Sequence, residues 1–143
     1  MIDRLVFPYI INRQYATDGR ARPFLPVSLR TGHHSVQSLA LVDSGADMNV
    51  MPYDVGIELG GIWDEQQEIV GLSGIAGQVE SRAIVVALAI GNWPIINMGF
   101  AWTREADVPV ILGQISFFSH VNICFMRSSQ QFELEYVRQA NKD

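Results

Sequence analysis

The chemistry of this chain is concentrated in residues 39 to 52, Leu-Ala-Leu-Val-Asp-Ser-Gly-Ala-Asp-Met-Asn-Val-Met-Pro. An apolar, β-prone run, Leu39 to Val42, delivers one carboxylate, Asp43, into a turn of the small residues Ser44, Gly45 and Ala46. Apolar character resumes at Met48, Val50 and Met51. The pattern places an acid at the end of a buried strand. Burial makes ionisation costly, so a carboxylate held there is suited to general acid–base work. Gly45 leaves room for another backbone to approach the acid.

Other candidate groups are weaker. His33 and His34 fall in an expected turn, where adjacent side chains point apart and make a poor metal site. His120 closes an expected short helix and suits the negative end of its dipole. Cys124, the single cysteine, lies in an apolar strand and reads as inert core. Its lack of a partner rules out an internal disulfide and points to a reducing compartment. Trp63, Trp93 and Trp102 read as packing anchors. No cofactor or metal is expected.

The elements that position Asp43 must be mostly strands. Short apolar runs dominate and no long helical stripe occurs. Leu5–Ile11 reads as a strand that Pro8 confines to an edge or interface. Residues 12 to 23 read as a polar loop with a turn at Asp18-Gly19. Phe24–Arg30 and Val36–Val42 form a hairpin through residues 31 to 34. Residues 52 to 59 suit one or two helical turns ended by Gly60-Gly61. Strands are expected at 66–70, 78–90, 94–102 and 108–112, then a short helix at 114–120 and a closing hairpin of 121–125 and 132–137. Between the first two of these strands lies Gly-Leu-Ser-Gly-Ile-Ala-Gly, residues 71 to 77.

At 143 residues, with 48% hydrophobic and 17% charged residues, the chain suits one β-rich domain and excludes a disordered one. A net charge of −5 argues against nucleic-acid binding, which needs a basic patch. Arg20, Arg22 and Arg30 lie near Asp18 and read as a solvated loop. The longest apolar run, 83 to 90, is too short to span a bilayer, and the N-terminus lacks the layout of a secretory signal. The expectation is a soluble, cytoplasmic protein with no membrane partner.

Three motifs in order give a specific resemblance: the strand into Asp43-Ser44-Gly45-Ala46-Asp47, the glycine-rich tip Gly74-Ile75-Ala76-Gly77, and Val110-Ile111-Leu112-Gly113 before a helix. Together they resemble the retropepsin-like aspartic proteases over about residues 24 to 137. The resemblance implies an all-β acid-protease barrel with one or two short helices and a glycine-rich flap hairpin. It divides the single domain, 1–143, into an N-terminal strand and variable loop (1–23), a protease core (24–137) and a polar tail (138–143). It implies an aspartic endopeptidase with Asp43 catalytic and Ser44, Gly45 and Ala46 forming the active-site loop. Leu41, Asp47, Val50, Val70, Gly74, Ile75, Pro109 and Ile111 would meet a peptide substrate.

Peptide hydrolysis by carboxylates needs two of them, and the chain has one Asp-Ser-Gly loop. A two-fold homodimer supplies the second Asp43. Two carboxylates at about 3 Å cannot both ionise, so an acidic to mildly acidic optimum is expected. The sequence departs from the family at Gln114 and Ile115, where many relatives carry Arg and an acidic or amide residue, so the usual ion-pair brace is missing. That departure and the unusual N-terminal segment keep a second reading open: a catalytically weak or inactive dimerisation or peptide-binding module.

Overall fold

The computed structural model describes residues 3–15, 18–69, 73–74, 77–78 and 80–138. Its strands are β1 (Arg4–Pro8), β2 (Phe24–Thr31), β3 (His34–Val42), β4 (Val50–Met51), β5 (Glu68–Ile69), β6 (Ser73–Gly74), β7 (Gly77–Gln78), β8 (Ser81–Ala89), β9 (Ile96–Thr103), β10 (Ile111–Leu112), β11 (Val121–Met126) and β12 (Gln131–Tyr136). Two short α-helices, α1 (Tyr53–Glu58) and α2 (Phe117–His120), complete the regular structure with two 3₁₀ turns.

Six strands close into a barrel in the order β2-β3-β10-β4-β9-β8, with β8 returning to β2. Long antiparallel hairpins form most of its wall. In β2–β3, alternate residues Leu25, Val27 and Leu29 face the core, and Gly32 supplies the positive φ of the two-residue turn. In β8–β9, Ile84, Val86 and Leu88 lie inward opposite Phe100, Met98 and Ile96. The two-residue strand β10 lies between β3 and β4, parallel to the first and antiparallel to the second. Consecutive strands β3 and β4 are thus kept apart, and the Asp43 loop must arch over the end of β10.

A separate sheet, β1-β12-β11, packs beside the barrel through Trp93 on Tyr136, with Phe7 stacked on Phe132 inside it. β1 is an edge strand, as Pro8 required. Helix α1 packs on Trp102, whose indole Nε1–H donates to the Tyr53 carbonyl at 3.1 Å. Tyr53, Trp63 and Trp102 form one aromatic cluster, with the Arg82 and Arg104 guanidinium groups each 4.9 Å from the Trp63 ring centre.

Several expectations change: the strands expected over 5–11 and 108–112 form only as Arg4–Pro8 and Ile111–Leu112. The helix expected over 114–120 forms only from Phe117. Ser116 has φ +84, outside the right-handed helical region, so the helix cannot run through it and starts only after it. Cys124 is exposed, because it sits on the outer face of the edge strand β11. Its apolar neighbours in sequence belong to the opposite face.

Gly56 offers a direct test of the packing under α1. An added Cβ would lie 2.2 Å from the Trp102 indole, so Gly56→Ala should destabilise the barrel by about 3 kcal/mol. Urea unfolding reads this as a lowered midpoint with an unchanged slope.

Candidate active site

Asp43 follows β3 directly and is half-buried at one end of the barrel. Its N–H donates to the Leu112 carbonyl at 3.0 Å, which continues the β3–β10 pairing one step beyond the strand. Its Oδ1 accepts the Gly45 N–H at 2.9 Å, and its carbonyl accepts the Ala46 N–H at 3.2 Å. The turn therefore points the carboxylate back over its own backbone. A Cβ on Gly45 would lie 3.3 Å from that Oδ1, a close contact that glycine avoids. Ser44 is exposed at the crown of the turn.

The loop is clasped from below by the chain leaving β10. Gln114 N–H donates to Ala46 O at 2.9 Å and Ile115 N–H to Asp47 O at 2.7 Å. The Gln114 side chain adds a third bond, Nε2–H to Ser44 O at 2.8 Å. Gln114 thus braces the loop by a neutral hydrogen bond to its backbone. Gly113 is required here: its Cβ would stand 2.7 Å from both the Ala46 and Met48 carbonyl oxygens. Asp47 is exposed and its carboxylate has no ion-pair partner among the described residues.

Sequence reasoning missed the residue that joins these parts. Asn49 is 1% exposed; its Oδ1 accepts the Gly113 N–H at 2.9 Å and its Nδ2–H donates to the Gly99 carbonyl at 3.2 Å. One amide therefore links the Asp43 loop, the end of β10 and β9. The signal was an amide between Met48 and Val50 in an otherwise apolar run, which alternation alone would expose.

Three of the expected substrate contacts lie in one row. Ile111 pairs with Leu41 on one side and Val50 on the other, while their neighbours Val42, Leu112 and Met51 turn into the barrel core. Leu41 and Val50 are half-buried; Ile111 is buried. Leu41 and Pro109 also line a cavity of about 160 Å³ with Phe24, Tyr15, Asp18 and Arg22. Gly74 is paired with Gly77 in the hairpin β6–β7; Val70 and Ile75 lie outside the described residues.

The cavity rim is polar. Asp18 bonds the Arg22 guanidinium at 2.9 Å and the Arg20 N–H at 3.0 Å, and these bonds, Arg22 first, hold its carboxyl below the usual value. Burial, then the charges of Asp54 and Asp107, push the Tyr15 hydroxyl up.

Two measurements test this geometry. Asn49→Ala leaves the Gly113 N–H without its partner and should cost about 2 kcal/mol in urea unfolding. For Asp18, a depressed folded pKa gives stabilisation that is complete above the unfolded value and lost as pH falls through the lower folded one. An NMR titration should place Asp18 below the ordinary 3.8, and Arg22→Ala should move it up.

Comparison with solved structures agrees with the barrel. A retropepsin-like aspartic protease from Rickettsia conorii superposes with a TM-score of 0.63 at 13% identity, covering 93% of this chain and 89% of that one. EIAV protease complexed with the inhibitor HBY-793 gives a TM-score of 0.51 at 23% identity, covering 68% and 86%. No family model and no curated protein matches the sequence. Among the described residues, no helix is long and apolar enough to cross a membrane. The closed barrel, with β10 threaded between β3 and β4 beneath the Asp43 turn, has the retropepsin-like aspartic-protease fold.

Proposed function

We propose that this chain is an aspartic endopeptidase that works as a homodimer, with Asp43 of each subunit facing its twin across a two-fold axis. The observation that carries the reading is the setting of Asp43: half-buried at the barrel end, on a turn clasped by Gly113, Gln114 and Ile115. A carboxylate fixed in that way has a defined direction, and the fold is that of enzymes using paired aspartates.

In the dimer the two carboxylates share one proton. The ionised Asp43 takes a proton from a water as its oxygen attacks the peptide carbonyl carbon. The protonated Asp43 donates to the carbonyl oxygen, giving a neutral tetrahedral diol. Proton transfer to the nitrogen then accompanies cleavage of the C–N bond. Ser44, Gly45 and Ala46 keep the two loops close.

An extended peptide would lie over the row of Leu41, Ile111 and Val50, with Pro109 as a side wall. The exposed Asp47 carboxylate would accept its amide hydrogens. The hairpin containing Gly74, together with Val70 and Ile75, would cover it and exclude water. The row favours apolar side chains beside the cut. The chain acts as one domain, 1–143, needs no cofactor, and works in the cytoplasm.

The test is incubation with a mixed peptide library between about pH 3.5 and 7, the range in which a carboxylate pair sharing a proton is active. Cleavage should peak at the acidic side and fall at least about 1,000-fold in Asp43→Asn. Cleavage that survives the substitution removes the assigned mechanism. A wild-type dimer that cuts nothing at any pH supports the binding-module reading instead.

A further inference from the structure

The cavity of about 160 Å³ beside Leu41 draws its walls from two sources. Leu41, Pro109 and the nearly buried Phe24, which pairs with Leu41 across β2–β3, belong to the barrel. Tyr15, Asp18 and Arg22 come from the loop that precedes β2. None of these three takes part in the Asp43 turn or its clasp. They can therefore set what the cavity accepts without altering the acid.

Backbone bonds fix the shape of the cavity. Arg22 N–H donates to Ile10 O at 3.0 Å, and the Arg22 carbonyl accepts the Ile10 N–H at 2.9 Å and the Phe24 N–H at 2.8 Å. On the other side, Leu41 N–H donates to Val110 O at 2.8 Å. The Asp43 N–H continues this pairing to β10, so Leu41 and Asp43, two residues apart, share one side of the chain. The cavity thus lies next to the carboxylate.

Size and lining select the occupant. A cavity of about 150 Å³ suffices for a benzene ring. Tyr15 and Phe24 supply two aromatic walls, against which a ring gains stacked or edge contacts that an aliphatic chain lacks. The polar rim narrows the choice further. Arg22 donates to both oxygens of Asp18, at 3.3 and 2.9 Å, and Asp18 also accepts the Arg20 N–H at 3.0 Å. A guanidinium has five N–H donors and a carboxylate about four acceptor positions, so Arg22 keeps donors and Asp18 keeps an acceptor position. Their charges already neutralise each other, and a charged newcomer would have to break a two-bond pair. A hydroxyl is donor and acceptor at once and can join both groups without breaking it. The bonds from Arg22, and then from the Arg20 N–H, hold the Asp18 carboxyl below its ordinary value, so the pair persists in mild acid.

We infer that this cavity takes a tyrosine side chain of the substrate, beside the bond to be cut, with its hydroxyl between Asp18 and Arg22. The inference deepens the endopeptidase reading above and rests on it for the substrate; the preference for a phenol can be measured without any cleavage.

The probes are p-cresol, toluene and 4-methylbenzoate, followed at the Leu41 methyl resonances in an NMR titration of the whole chain. The wild-type protein should bind p-cresol at least about 10-fold more tightly than toluene, and 4-methylbenzoate should not displace it. Combining Asp18→Ala with Arg22→Ala should make p-cresol and toluene equal while leaving toluene binding unchanged. A variant that weakens both alike marks the pair as merely structural and overturns its role. In the peptide library, cuts beside Tyr should exceed cuts beside Phe at least about 10-fold. Equal wild-type binding of p-cresol and toluene, or displacement by 4-methylbenzoate, overturns the inference. Peptides cut without regard to Tyr also overturn it and leave the endopeptidase reading standing. A phenol preference in a protein that cuts no peptide supports the cavity assignment and overturns the endopeptidase.

Discussion

The position of β10 between β3 and β4 is the constraint on which the rest of the site depends. A strand of two residues inserted there separates two strands that are consecutive in the chain, so the connecting loop has to pass over its end. A loop in that position carries backbone carbonyls that need partners away from bulk water. The residues after β10 supply them: Gln114 and Ile115 donate to Ala46 and Asp47, and Asn49 reaches down to Gly113. Asp43 inherits its direction from this arrangement. No charged group is needed to hold the loop, because the Gln114 side-chain amide donates to the Ser44 carbonyl.

The same clasp shapes the next stretch of chain. The clasped residues 114 and 115 lead straight into Ser116, whose φ of +84 turns the backbone sharply and postpones α2 until Phe117. The chain then enters β11 with its apolar residues on the barrel side and Cys124 outside. Site and sheet are therefore mechanically continuous over a short segment. Steric limits reinforce the path at two points: Gly113 beneath the loop carbonyls, and Gly56 against Trp102. At both, any side chain would have to displace backbone or a buried indole.

Much of this could be read from residue types. Asp43-Ser44-Gly45 after an apolar strand announced a positioned acid, and Pro8 announced an edge, because each depends on local covalent properties. Cys124 was misread because an apolar run implies burial only if both faces of the strand are covered, and Cys124 lies on the outer face of β11. Asn49 escaped because its value lies in partners 50 and 64 residues away in sequence. The polar cavity wall of Tyr15, Asp18 and Arg22 escaped for the same reason: a loop's composition does not say against which strand it folds.

By itself the sequence determined the class of the fold and the placing of Asp43 on a small-residue turn at the end of an apolar strand, since hydrophobic period and turn chemistry are properties of short segments. The tertiary structure alone decided which carbonyl each N–H beyond β10 would meet, where α2 could begin, which amide would tie three strands together, and which sheet edge would stay open. Those outcomes depend on closing a barrel from distant segments, and closure is a condition on the whole chain that no local pattern contains.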